Sequence, residues 1–299
     1  MLTVSYNLST TLKDGLANLD ALRQKILVIP VSPATETRIR WQTTLKHLEG
    51  WANLSNQPLS SEHILNTVNH PDAKNSSSLT IKILNYRNAI SYIRDYWPAS
   101  GDLVTFTTIK QLATTLGVNH GSEKEVETLL NYLQTGQVHP LIQAATAHLY
   151  FYPSRLSYLV SLLFLTKYGF GLRGWLSLED YWSQNKQEYL QVILQAQNLA
   201  NTTLWLEYFC QAMIFQMEKI YHTLTSSPAP TPIKHWNLTR LQKDILTLFE
   251  QPDISITNKI LQISLNVSQL TASRNLARLT YLGLILPHGG GRATSYTKG

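Results

Sequence analysis

A mainly α-helical chain, with a large helical body and a small C-terminal domain, is the fold class that three observations predict. Almost nothing in the first 225 of the 299 residues alternates with period two, whereas apolar residues recur at steps of three and four. One stretch, His139 to Phe170 (HPLIQAATAHLYFYPSRLSYLVSLLFLTKYGF), is apolar enough to be two core helices meeting at a short break, Tyr152-Pro153-Ser154. Finally, Thr225 to His235, with Pro228, Pro230 and Pro232, interrupts the helical pattern.

Each element follows from its own residues. Leu12, Leu16, Leu19, Leu22 and Ile26 share one face of a first helix over 12–30, which Pro30 and Pro33 end. A second helix is expected from about Thr35 to Trp51, and a third from about Ser61 to Val68 with Ser60 or Ser61 as its cap. The polar run Asn69 to Ser78 reads as an exposed loop. Helices are expected again at Leu79 to Tyr96, Thr107 to Leu116 and Glu123 to Leu133. In the central pair, Leu141, Ile142, Ala145, His148 and Leu149 form one stripe, while Leu156 to Leu165 is apolar almost all round, as in a helix enclosed by others. Leu178 to Ala196 and Thr203 to Leu224 complete a helical body over 1–224.

Residues 225–235 favour an extended polyproline spacer, at about 3.1 Å per residue. Beyond it, residues 236–299 read as helix (Thr239 to Glu250), helix (Thr257 to Ile263), the turn Leu265-Asn266-Val267, helix (Ser268 to Leu282) and a hairpin with its tip at His288 to Arg292. That order predicts a winged helix-turn-helix. Ala272, Leu276 and Leu279 face inward by spacing, which leaves Gln269, Thr271, Arg274, Asn275 and Arg278 outward, and Arg292 in the wing. These residue types suit base edges and phosphates. This segment holds seven Lys and Arg against three Asp and Glu, so it carries +4 of the total +6 and double-stranded DNA is the expected partner.

Composition narrows the alternatives. Charged residues make up only 15% and apolar ones 43%, as in a folded chain and not a disordered one. No apolar run approaches the roughly 18 residues of a membrane span. The start, MLTVSYNLSTTLKDG, lacks a basic region followed by an apolar one, so no signal peptide is expected. The single Cys210 forms no internal disulfide and agrees with a cytoplasmic location. None of the nine histidines forms a metal-ligand pair by spacing, so no metal or other cofactor is expected, and His139 and His148 read as structural. Cys210, Trp175, Trp182 and Trp205 read as core residues.

Taken together, these pieces resemble the Fic (Fido-fold) family, in particular its members with a C-terminal winged helix. Those carry a segment like HPLIxAAxAHxxF, a loop IHPFxDGNGRxxR and a leucine-rich helix ending in KYGY. Here HPLIQAATAHLYF (139–151) is similar to the first and SRLSYLVSLLFLTKYGF (154–170) to the last. LRGWLSLEDYWSQNKQEY (172–189), LWLEYF (204–209) and the closing GRATSYTKG are similar to later family segments. The resemblance implies an ancestral protein adenylyltransferase, whose loop His is a general base, whose acidic residue holds Mg²⁺ and whose glycine loop cradles phosphates.

That loop is missing. Only seven steps separate His148 from Arg155, too few to hold it. Arg155 lines up with the arginine of GNGR, Tyr158 stands at the second arginine, and Ser55, in LSNQPLS (54–60), stands where the family's inhibitory glutamate would be. Residues 117–122 replace the family's target-positioning segment with a short turn. The expectation is a degenerate, catalytically inactive Fic-like protein that acts as a DNA-binding regulator or scaffold. The helical body would then serve homodimer formation or a protein partner. Two alternatives stand beside it: a nucleotidyl transferase rebuilt around a residual anion site at Ser154 and Arg155, and a pure protein-interaction or antitoxin-like module.

Overall fold

Hydroxyl side chains start the helices. Ser9 Oγ accepts the Leu12 amide at the head of α1 (Thr10–Leu27), and Ser32 Oγ accepts the Thr35 amide ahead of α2 (Pro33–Leu54). The expectation that Pro33 ends the first helix is corrected: Pro33 opens the second, where its missing N–H leaves no bond unmade. Ser60 Oγ takes the His63 amide before α3 (Ser61–Asn69), so Ser60 is the cap. α4 (Ser78–Tyr96), α5 (Phe106–Leu116) and α6 (Glu123–Thr135) follow, and Gly117 ends α5 in the left-handed conformation, φ 64°. The computed structural model describes residues 5–57, 59–69, 77–98, 100–135, 138–198, 201–226, 238–249, 255–282, 284–288 and 294–298. Most of the expected loop at 69–78, much of the expected spacer and the hairpin tip lie outside them.

The contacts divide the chain into two units. One takes in residues up to Ile29, Lys46–Leu59 and Asn85–Leu224; the other takes in Pro30–Leu45, Ser60–Leu84 and the chain from Thr225. The second unit is therefore larger than the C-terminal domain read from the sequence. A helix whose two ends join different neighbours, as α2 and α4 do, keeps one unbroken apolar pattern, so it gives no boundary signal.

In the first unit, α7 (Pro140–Phe151) and α8 (Leu156–Lys167) form the centre. Nearly every side chain of both is buried, including Leu141, Ala145, Leu159, Leu163 and Phe164. Removing one such large side chain to Ala costs on the order of 2–5 kcal/mol. The single helix expected over 178–196 is corrected to two, α9 (Leu178–Gln184) and α10 (Lys186–Asn198). Asn185 makes the break, with both its amide and its side-chain Nδ2 donating to the Tyr181 carbonyl. α11 (Thr203–Ser226) closes the unit and buries Trp205, Phe209 and Cys210.

The C-terminal part of the second unit runs α12 (Arg240–Thr247), β1 (Ile256–Thr257), α13 (Asn258–Leu265), α14 (Gln269–Tyr281), β2 (Ile285–His288) and β3 (Ser295–Lys298). Its three antiparallel strands lie in the order β1-β3-β2, with Ile256 opposite Tyr296 and Leu286 opposite Thr297. A capping box starts α12: Thr239 Oγ1 accepts the Gln242 amide and the Gln242 side chain accepts the Thr239 amide. Asn266, left-handed at φ 48°, turns the chain between α13 and α14. The core is Ile245, Phe249, Leu261, Ala272, Leu276, Leu279 and Ile285, so the inward face read for α14 is the observed one. β1, two residues long, was not expected, because two residues carry no periodicity.

Candidate functional site

The junction between α7 and α8 is where the sequence placed a residual anion site. It is a closed turn, with a cis bond between Tyr152 and Pro153. The Ser154 amide donates to the Phe151 carbonyl at 2.9 Å, the Ser157 amide to the Ser154 carbonyl at 2.9 Å, and the Leu156 amide to Ser154 Oγ at 3.3 Å. Three amides at the head of α8, those of Ser154, Leu156 and Ser157, are thus bonded within the turn. Arg155 lies half-buried with its guanidinium 5.8 Å from the centre of the Trp51 ring. Burial holds its pKa below the usual arginine value, against an opposing pull from Tyr86. The turn thus brings Ser154 and Arg155 together without aiming either at a shared ligand position.

Behind the turn, the core is polar in a self-contained way. His148 is wholly buried, with Nε2 2.9 Å from Tyr189 Oη and Nδ1 3.3 Å from Ser161 Oγ, inside a ring of Tyr158, Trp182, Trp205 and Phe209. Desolvation pushes its pKa down to about 3, so it is a neutral imidazole at pH 7. Tyr158 is buried and bonded to Tyr189, and desolvation drives its hydroxyl pKa up. His139 is the N-cap of α7, accepting the Leu141 amide at 3.1 Å. Cys210 is buried and its thiol pKa is pushed up to about 12 by desolvation, then by Glu207, which leaves it inert.

A cluster that sequence reasoning missed lies nearby in the same unit. Glu179, at the start of α9, accepts a 2.7 Å bond from Tyr86 Oη and is 2.8 Å from His47 Nδ1, with all three residues at most 3% exposed. Burial alone would raise the Glu179 pKa, but His47 and then Tyr86 hold it below the ordinary carboxylate value. Gly50 on α2 packs so close that a Cβ there would lie 2.5 Å from the Glu179 carbonyl. With no exposed face, this trio ties α2, α4 and α9 together and offers nothing to a substrate. Residues 47, 86 and 179 come from three helices, so no local spacing announces them. Ser55, just past the end of α2, is exposed, and Lys186 Nζ donates to the Asn53 carbonyl and to Asn56 Oδ1 at the end of the same helix.

The second candidate surface is α14. Gln269, Arg274 and Arg278 are exposed, as expected. Arg278 lies over the Tyr281 ring at 5.2 Å. Thr271 supplies the amide that Ser268 Oγ caps and pairs its hydroxyl with the same oxygen. Asn275 departs from the expectation. It is half-buried, its Nδ2 donates to the Thr271 carbonyl at 2.8 Å and its Oδ1 accepts from Gln242 Nε2 at 3.0 Å, so it fastens α14 to α12. Period alone cannot separate an outward residue from one at the margin of a contact. Arg292 lies outside the described residues. Among the described residues no group of three or more His, Cys, Asp or Glu is placed to hold a metal ion, and no helix is long and apolar enough to cross a membrane.

The described residues form a mainly α fold in which α7 and α8 are enclosed by other helices. A solved structure of the same architecture is that of a Fic family protein from Desulfovibrio desulfuricans G20, with a TM-score of 0.61 over 99% of this chain and 98% of that one. The two sequences are 14% identical, so the likeness is one of fold. No family model matches the chain, and no curated protein matches it at significant sequence similarity.

Proposed function

We propose that the protein is a Fic-fold regulator without nucleotidyl transfer activity that binds double-stranded DNA through a winged helix. The observation that carries the reading is the face of α14: Gln269, Arg274 and Arg278 are exposed on a capped helix that is held from behind by Ala272, Leu276 and Leu279. The order helix, strand, helix, helix and two strands, with the Asn266 turn ahead of α14, is that of a winged helix, and the +4 charge of residues 236–299 supplies the cations that displace counterions from DNA. Arg292, which lies outside the described residues, is a proposed phosphate contact on its place in the sequence alone. Thr271 lies on the same face and completes it, while Asn275 contributes by holding the helix in place.

The closed turn at Ser154 and Arg155 supports the absence of transfer chemistry, because the Ser154, Leu156 and Ser157 amides are bonded internally and the chain is too short there for the family's loop. A gel-shift series across salt, comparing the wild type with the double variant Arg274→Ala, Arg278→Ala, tests the DNA reading. Equal and negligible binding of both at low salt defeats it. Incubation with Mg²⁺ and labelled ATP, CTP or UTP is expected to leave the chain and lysate proteins unlabelled.

A further inference from the structure

Within the second unit, α3 runs beside the C-terminal half of α14. Glu62, Leu65 and Asn66 of α3 face Ala277, Arg278 and Tyr281 of α14 across an open groove of about 480 Å³. We infer that α3 is a built-in competitor for the DNA-binding face of α14, so that the resting protein reads DNA with the N-terminal half of that helix only. The inference rests on the DNA-binding reading above.

The argument is one of dimensions and charge. A major groove about 12 Å wide accepts one helix, itself about 10–12 Å across with side chains. Gln269 and Arg274 lie on the N-terminal side of the α3 groove, whereas Arg278 opens into it. With α3 in place, a DNA strand reaching Arg278 meets a second helix and the Glu62 carboxylate. The groove is open, and its α3 side is formed by residues that are exposed or half-buried. Helix α3 keeps its own buried residues, Ile64, Thr67 and Val68, on another face.

The test is a double-variant cycle on the full chain, read as duplex affinity by fluorescence anisotropy over a range of salt. Glu62→Gln removes the carboxylate from the groove wall and leaves α14 and the buried residues of α3 unaltered. It is expected to tighten DNA binding about tenfold and to steepen the salt dependence by about one phosphate contact. Arg278→Ala is expected to weaken the Glu62→Gln protein about tenfold and the parent less than about twofold. If Glu62→Gln fails to fold, Leu65→Lys, which sets a cation beside Arg278, carries the same comparison. Equal losses from Arg278→Ala in both backgrounds, with Arg274→Ala still weakening binding, overturn the competitor role and leave the DNA reading standing. Absence of salt-dependent binding in every form overturns both.

Discussion

The α7–α8 junction and the start of α14 carry similar parts and use them differently. Each has a serine at a helix entrance with arginine close by: Ser154 and Arg155 in one, Ser268 and Arg274 in the other. At the junction, Ser154 is spent twice, its carbonyl on the Ser157 amide and its hydroxyl on the Leu156 amide, and Arg155 lies against Trp51. At α14, Ser268 caps the helix and the cations beyond it remain exposed. A residue type announces chemistry only where its donors are unspent. At the junction the polar groups close on one another; on the outward face of α14, Gln269, Arg274 and Arg278 face solvent.

The largest test of that contrast is Glu179→Ala. It leaves His47 and Tyr86 buried without their shared acceptor, and loss of one partner from such a cluster costs about 3–5 kcal/mol. Urea denaturation measures it, and a loss below about 1 kcal/mol would mean that the cluster is not closed. Next comes acid. His148 has a folded pKa of about 3 against an ordinary 6.5, so the unfolded chain takes up the proton first. Stability is whole above pH 6.5 and falls as pH drops toward 3, by on the order of 4 kcal/mol over the window. The depressed Glu179 pKa acts in the same direction, below the ordinary carboxylate range. In His148→Phe the slope between pH 6.5 and 5 is expected to be shallower by about one proton; an unchanged slope would place the titration elsewhere.

On the open side, Arg274→Ala is expected to weaken duplex binding by about 1–3 kcal/mol and to leave the melting of the second unit unchanged. Smallest is Gln242→Ala, which removes both the tie to Asn275 and the bond to the Thr239 amide and costs about 1–2 kcal/mol of stability. Its salt dependence on DNA should match the wild type, and a changed slope would return Asn275 to the recognition face.

Helix existence and type were legible because burial repeats locally. The 3.6-residue period gave α1 through α8, and inward Ala272, Leu276 and Leu279 gave the seat of α14. What escaped was set at a distance or by single residues. Asn185 splits a pattern that reads as continuous, β1 exists only because Tyr296 and Ser295 pair with it, and the Glu179 cluster draws on three helices. The two-unit partition escaped for the same reason, since α2 and α4 each join both units without a break in periodicity.

Gly50 concentrates these effects in one position. Its missing side chain is the clearance between α2 and the first turn of α9, where an added Cβ would come within 2.5 Å of the Glu179 backbone. A single methyl there displaces one helix from the other, and the carboxylate that travels with α9 leaves His47 and Tyr86 behind. Alanine at position 50 would therefore unlatch the buried cluster while every polar member of it remained in the sequence, which makes tolerance of substitution at this glycine a direct gauge of how tightly the first unit is drawn together.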